Sequence, residues 1–266
     1  WNYIPKMFNW FLHYFKNCNH KSMMHTAKYM HQILSLSNDA YTEIFQEIDT
    51  TDLVEKKGII YIWTNKNLKS RKLEIKVRED LGIEQKLLTQ NEVLDLEPNL
   101  QPVFDAGVIY ESAMHAKDPH GILKEIFKLF IERGGKFIQT NIKSLEQINI
   151  NETVIKSESN EYKFEKTVVA SGAFSKTLTD QLGEKIPLDT ERGYHVHFKD
   201  KDDLIQRPVI FLDRGFGMTP MNQGLRAVGT VELGGLKNPP SQKRIDYIIK
   251  CAKELLPQLD KHEDEW

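Results

Sequence analysis

Apolar residues recur at Met23, Ala27, Met30, Leu34, Tyr41, Ile44 and Ile48, in steps of four and three with one gap at Ser37. That spacing predicts one long helix with a single apolar stripe, packed on the protein's own core. Flanking charge pairs along the seam are sparse, which argues against a coiled coil. Upstream, Tyr3–Phe15 (YIPKMFNWFLHYF) is apolar and aromatic but too short to span a bilayer. It reads as a helix packed on the protein, or as one lying in a membrane interface, where Trp and Tyr are favoured.

After the helices comes Gly58–Thr64 (GIIYIWT), a β-rich run, then a charged helix from about Leu68 to Leu81 closed by Gly82. A short strand, Lys86–Leu88, precedes a helix with Thr89 as N-cap and Glu92 three residues on, the spacing of a capping box. Glu97-Pro98 ends it. Asp118-Pro119 opens the best-marked helix, because Asp suits the N-cap and proline's missing N–H is not needed at the first helical position. Its face is Ile122, Ile126, Phe127 and Phe130, and Gly134-Gly135 stop it.

Strand Lys136–Thr140 is expected next, then a meander through Ile142–Ile150, Glu152–Glu158 and Tyr162–Phe164. An apolar strand, Thr167–Ala170, follows and runs into Ser171-Gly172-Ala173, with a helix opening near Phe174-Ser175. The last third reads as strands Ile186–Phe198, Pro208–Leu212 and Leu225–Val231. It closes on an amphipathic helix from Ser241, with Ile245, Ile248, Ile249, Ala252, Leu255 and Leu256 on one side before Pro257. The expected fold class is α/β, with a mixed, mostly antiparallel sheet.

At 266 residues the chain is long enough for one large domain or two modest ones. Its net charge of −2, with both signs mixed along the sequence, leaves no electrostatic footprint for nucleic acid. Cys18 and Cys251 lie far apart and neither belongs to a C-x-x-C, which argues against a disulfide scaffold and suits a reducing compartment. No signal-peptide pattern is present. Trp1 and Trp266, with no turn or polar tail around either, suggest ends that are cut rather than finished.

Several residues invite a chemical reading. His195 and His197 lie at i and i+2 on a strand, so both imidazoles point to one face. A zinc site needs further ligands, and only His262 and scattered carboxylates follow, so no metal is expected. Gly215-Phe216-Gly217 contains G-x-G without a third glycine or a following helix. It reads as glycines flanking a strand that approaches a ligand, or as a plain tight turn. Arg192, Arg214 and Arg226 could each grip a carboxylate in a bidentate fork, with surface salt bridging as the default for any one. Asp118 and His120 suggest an acid–base pair, but capping already accounts for Asp118. The runs Glu263–Glu265 and Lys199–Asp203 read as solvated loops. G-x-S-x-G, the P-loop and H-E-x-x-H do not occur, and neither does G-x-G-x-x-G, the turn that lets a backbone approach a dinucleotide pyrophosphate.

From Asp118 onward the sequence resembles the FAD-dependent D-amino-acid oxidase and dehydrogenase superfamily, the D-amino-acid dehydrogenase branch above all. Lys166–Ser175 (KTVVASGAFS) is similar to the family's strand and small-Gly-Ala/Ser turn, and Ile186–Tyr194 (IPLDTERGY) to its Pro-x-x-x-x-Arg-Gly-Tyr strand. Phe216–Glu232 (FGMTPMNQGLRAVGTVE) and Leu255–Leu259 (LLPQL) carry the rest of the likeness. The family's N-terminal FAD-binding βαβ unit, its Gly-x-Arg-Pro segment after the aromatic position that Trp266 matches, and its C-terminal glycine-rich segment are missing.

The resemblance implies a fragment of a flavin-dependent oxidoreductase that oxidises the C–N bond of a small amino acid or amine, with hydride passing to flavin N5. It implies an FAD-side set of Ile142, Ala170, Ser171, Gly172 and Ala173, and a substrate-side set of Arg192, Tyr194 and Met218. Residues 51–117 and 184–266 would form the substrate-binding domain, 118–183 an incomplete FAD-binding domain, and 1–50 helices packed across both. The chain alone is expected to bind no FAD, to show no turnover and to self-associate. A non-catalytic subunit that assembles with a separate flavin-carrying chain is the alternative. The expected location is cytoplasmic, with a peripheral place on the inner membrane as the alternative for the parent, and the expected partners are a small amino acid or amine substrate and a second copy or partner subunit.

Overall fold

The computed structural model describes residues 8–65, 68–235, 238–259 and 264–265. Trp1 and the rest of the segment before Phe8, His262, Glu263 and Trp266 lie outside the described residues. In chain order the elements are α1 (Phe8–Asn17), α2 (His20–Leu34), α3 (Ser37–Phe45), β1 (Val54–Glu55), β2 (Ile59–Trp63), α4 (Leu68–Asp80), β3 (Lys86–Thr89), α5 (Gln90–Leu96), β4 (Ala106–Tyr110), β5 (His115–Ala116) and α6 (Pro119–Glu132). They continue with β6 (Ile142–Asn149), β7 (Glu152–Ser157), β8 (Glu161–Phe164), α7 (Ser175–Thr179), β9 (Arg192–Lys199), β10 (Val209–Phe211), β11 (Phe216–Met221), β12 (Gly224–Glu232), α8 (Gln242–Leu255) and β13 (Asp264–Glu265). By contacts the chain forms two compact units. One runs to Glu132 and resumes at Gly193–Glu232 and from Pro239; the other is Arg133–Arg192 with Leu233–Asn238.

The larger unit is built on an eight-stranded sheet in the order β13-β9-β12-β11-β10-β2-β4-β3. β10 and β2 run parallel, and β3/β4, β4/β2, β10/β11, β11/β12 and β9/β13 are antiparallel. Alternation assigns its faces. Ile60 and Ile62 of β2, Tyr194, Val196 and Phe198 of β9, Met218 of β11, and Leu225 and Ala227 of β12 point into one core. Ile245, Ile248, Ala252 and Leu255 close it from α8, the stripe that the sequence predicts. The opposite face of the sheet carries Tyr61, Thr219, Arg226, His195 and His197. No described helix is long and apolar enough to cross a membrane.

The local signals behave as read. Asp118 Oδ1 accepts from the Gly121 N–H at 2.9 Å, and Thr89 and Glu92 form a reciprocal capping box. The expected strands of the last third form, except that Ile186–Glu191 stays outside the ladder and β9 begins only at Arg192; β11 is an additional strand, and Asp264–Glu265, read as part of a solvated loop, pairs as β13. Pro187 has no N–H to donate there. Gly215, at φ +56°, closes a tight turn, and Gly217 sits within β11.

Three expectations are corrected. The stripe from Met23 to Ile48 is two helices, with a break at Ser35-Leu36 where the Ser35 hydroxyl donates to the Gln32 carbonyl. None of α1, α2 and α3 buries a residue, and Met30, Ile33, Leu34 and Tyr41 are exposed. The periodicity marks an apolar face without saying what covers it. Lys136–Thr140 and Thr167–Ala170 lie outside any ladder among the described residues, with Phe137, Ile138 and Val168 exposed. β-propensity makes a strand only where a neighbour supplies the ladder, and neither segment has one among the described residues.

In the smaller unit, β6, β7 and β8 form the expected antiparallel meander. The Gln181 side chain ties the helical segment after it to β6, accepting from the Leu145 N–H at 3.0 Å and donating to the Lys143 carbonyl at 3.2 Å.

Candidate functional site

In the smaller unit, Ile142 opens β6 opposite Ser157 and is half-buried. Ala170, Ser171, Gly172 and Ala173 are all exposed. Gly172–Phe174 form a single helical turn after Ala170 and Ser171, in which the Phe174 N–H donates to the Ser171 carbonyl at 3.0 Å. Gly172 has φ +53°, and a Cβ placed there would meet nothing within 4 Å. The turn therefore offers bare backbone to whatever approaches it. Its Thr167 hydroxyl, upstream, is buried without a hydrogen-bond partner among the described residues.

In the larger unit, Arg226 of β12 lies directly across from Thr219 of β11, and both are half-buried. His195 and His197 of neighbouring β9 face the same side, their rings 5.5 Å apart. Burial first, then the Arg226 cation and His197, hold the His195 imidazole below the usual histidine value. Arg226 Nε is buried and makes no hydrogen bond among the described residues. Among the described residues no group of three or more His, Cys, Asp or Glu is arranged to hold a metal.

The substrate-side residues of the sequence reading fall in different environments. Arg192 starts β9 and is half-buried. Tyr194 is buried, and its hydroxyl donates to Glu232 Oε2 at 2.5 Å while accepting from the Ser241 N–H at 2.9 Å. The phenol thus joins β9, β12 and the start of α8. Met218 is fully buried in the core on the α8 side of the sheet. Arg214 is occupied: it pairs with Glu254, lies 4.9 Å over the Phe211 ring, and its carbonyl accepts from the Tyr247 hydroxyl at 3.0 Å.

Other polar groupings escaped the sequence reading because their members are far apart in the chain. Asp213 accepts from the Thr64 N–H at 2.6 Å and the Thr64 hydroxyl at 3.0 Å, and faces Arg71 at 3.4 Å. Glu97, 1% exposed, accepts from the Gln206 N–H at 2.8 Å with Arg207 Nε 3.3 Å away. His115 is buried 3.8 Å from Glu55. Arg78 of α4 lies over the rings of Tyr61 and Tyr110. The alternation Ile60, Ile62 inward and Tyr61 outward was the available signal for Tyr61, in a run read only as β-rich.

A family model described as FAD dependent oxidoreductase matches residues 13–266. The chain is 26% identical over 260 residues to a D-amino-acid oxidase of Bradyrhizobium diazoefficiens, covering 97% of this chain and 62% of that protein. It is 24% identical over 269 residues to a D-amino acid dehydrogenase of Vibrio atlanticus, covering 96% and 62%. Among solved structures it is similar to glycine oxidase from Geobacillus kaustophilus, with a TM-score of 0.74 at 17% identity over 87% of this chain and 63% of that one. L-proline dehydrogenase from P. horikoshii gives 0.75 at 18%, over 88% and 64%. The likeness to the solved structures is one of fold, and the chain spans less than two thirds of the length of each of these relatives. With the match running almost from end to end, the chain belongs to the FAD dependent oxidoreductase (DAO) family.

Proposed function

We propose that this chain is the substrate-side sheet, with part of the flavin-binding unit, of an oxidoreductase that oxidises the C–N bond of a small amino acid or amine. The observation that carries the reading is the family match across residues 13–266. The names of the relatives, D-amino-acid oxidase and D-amino acid dehydrogenase among them, supply the substrate class.

The residues fit FAD in part. The exposed Ser171-Gly172-Ala173 turn, with open space above Gly172, suits close backbone approach to a dinucleotide, and Ala170 and Ile142 would flank its adenine end. A pyrophosphate cradle is not among these 266 residues, which hold no G-x-G-x-x-G. Flavin, when bound, supplies the hydride acceptor at N5.

The protein's part is orientation. Arg226 and Thr219 present donors to a substrate carboxylate, a charge-assisted contact that fixes the Cα. Tyr194, held by Glu232 and the Ser241 N–H, fixes β9 against β12. Met218 fills the core beneath that face and supports it, and Arg192 offers a second cation at the start of β9. Burial first, then Arg226, hold His195 below the usual histidine value, which favours its uncharged form beside the amine. Removing hydride from a neutral amine needs no obligatory side-chain base.

Two measurements test this. The 266-residue chain, purified alone, should be colourless, because immobilising a dinucleotide costs the same when half its contacts are gone. The product of the complete reading frame should carry flavin, and anaerobic mixing with a panel of amino acids should bleach its visible band. A flavin-free complete product that assembles with a separate flavoprotein would instead favour the non-catalytic subunit. Flavin that stays with the 266-residue chain through gel filtration would overturn the partial fit.

A further inference from the structure

On the face of the sheet away from the core, α4 leaves a cavity of about 420 Å³, within the size range of small-molecule sites. Tyr61 of β2, Tyr110 of β4 and Arg78 of α4 are its polar-edged walls, and Ile59, Ile83 and Met114 its apolar ones. The two tyrosine rings meet edge to face, with centroids 5.3 Å apart at 66°. The Arg78 guanidinium carbon lies 5.9 Å from the Tyr61 centroid and 5.7 Å from that of Tyr110. Cation–π contact with both rings holds the guanidinium beside them.

The charge on Arg78 is under-compensated. Its nearest acid, Glu74, is 3.9 Å away, beyond hydrogen-bond reach. Both Glu74 oxygens are taken by Arg71, at 2.8 and 2.9 Å. Arg78 makes no side-chain hydrogen bond among the described residues, and its side chain is 29% exposed, so a ligand entering the cavity meets it. The Tyr110 hydroxyl is engaged with Gln85 at 3.3 Å, which holds the ring in place.

We propose that this cavity is a binding site for a small monocarboxylate with a flat apolar body. The carboxylate docks on the guanidinium edge of Arg78 while the body lies against the tyrosine rings and the apolar wall. A neutral or cationic ligand of the same shape gains the wall but not the charge, so selectivity for the anion is the signature. This site involves residues of the larger unit alone and stands whether or not the flavin reading holds.

Phenylacetate, phenylacetamide and phenethylammonium are suitable probes, titrated into the 266-residue chain with arginine side chains labelled with 15N. Phenylacetate should bind in roughly the millimolar range and shift the Arg78 Nε–Hε resonance. The amide and the ammonium should bind at least about tenfold more weakly. Arg78→Gln should weaken phenylacetate about tenfold or more, and Arg78→Lys nearly as much, because a point charge lacks the planar fork. Tyr110→Phe keeps the ring and should leave affinity within about twofold. If phenylacetate and phenylacetamide bind equally, or the Arg78 resonance does not move at saturating phenylacetate, the proposal fails. Because the resonance is read in the unmodified chain, a poorly folding variant does not shield it.

Discussion

Replacing Glu97 with Gln tests how a carboxylate survives inside this core. Glu97 is 1% exposed at the end of α5. Burial raises its pKa to about 7, against the opposing pull of the Gln206 N–H, the Arg207 cation and the Arg207 N–H. Arg207 Nε is only 3.3 Å from Glu97 Oε1, yet neither atom has a hydrogen bond, so the ion pair is close but not aligned. Desolvation therefore wins. The sign follows from proton linkage. A glutamate with a raised folded-state pKa leaves the native state holding a proton that the unfolded chain has released. Its contribution is fully present below the unfolded value of 4.5 and is lost as pH rises through about 7. At about 1.4 kcal/mol per tenfold change in proton affinity, the loss is about 3 kcal/mol. Glutamine keeps the acceptor for the Gln206 N–H and cannot ionise. Urea unfolding of both proteins from about pH 5 to pH 8 should show the Gln variant gaining about 3 kcal/mol on the wild type across that window. A difference that does not change with pH, or one that swings toward the wild type above about pH 5, would show that the Arg207 pair governs and refute the argument.

Other perturbations have equally definite outcomes. Gly224→Ala should cost about 3 kcal/mol or more in urea unfolding, since φ is +125° and the new Cβ would be driven into the Phe198 carbonyl oxygen, 2.9 Å from Lys199 Cα; a near-neutral result would mean that this turn can shift. Ile248→Ala on α8 should cost about 3 kcal/mol, because the side chain is fully buried between helix and sheet, and thermal unfolding checks it. Arg226→Gln should raise the pKa of His195 followed by NMR, because it removes the neighbouring cation that disfavours the imidazolium; an unmoved midpoint would separate the two side chains.

What could be read from the sequence was what a few consecutive residues decide. The Asp118-Pro119 start, the Thr89/Glu92 box and the α8 stripe each involve groups within about one helical turn or one face. Where the deciding partner is distant, residue pattern specifies a type of element and not its outcome. Lys136–Thr140 and Thr167–Ala170 have strand composition, but a ladder depends on which other strand lies alongside. The long stripe of the N-terminal helices says that an apolar face exists, and Ser35 and Leu36 were enough to break it into α2 and α3.

The arginines make the same point about function. Arg214 and Arg226 look alike as letters, twelve positions apart on either side of one hairpin. Glu254, 40 residues downstream, claims Arg214 and makes it a strut. Arg226 has no such acid among the described residues, and its buried Nε makes no hydrogen bond there. Arg78 is intermediate, held against two tyrosine rings while Arg71 takes both oxygens of its nearest carboxylate. A cation becomes a binding group when the fold holds it in place without neutralising it, and that condition is set by the acids that other elements bring or withhold. It is therefore at Arg78 and Arg226, rather than at the more conspicuous histidine pair, that ligand chemistry in the larger unit is best sought.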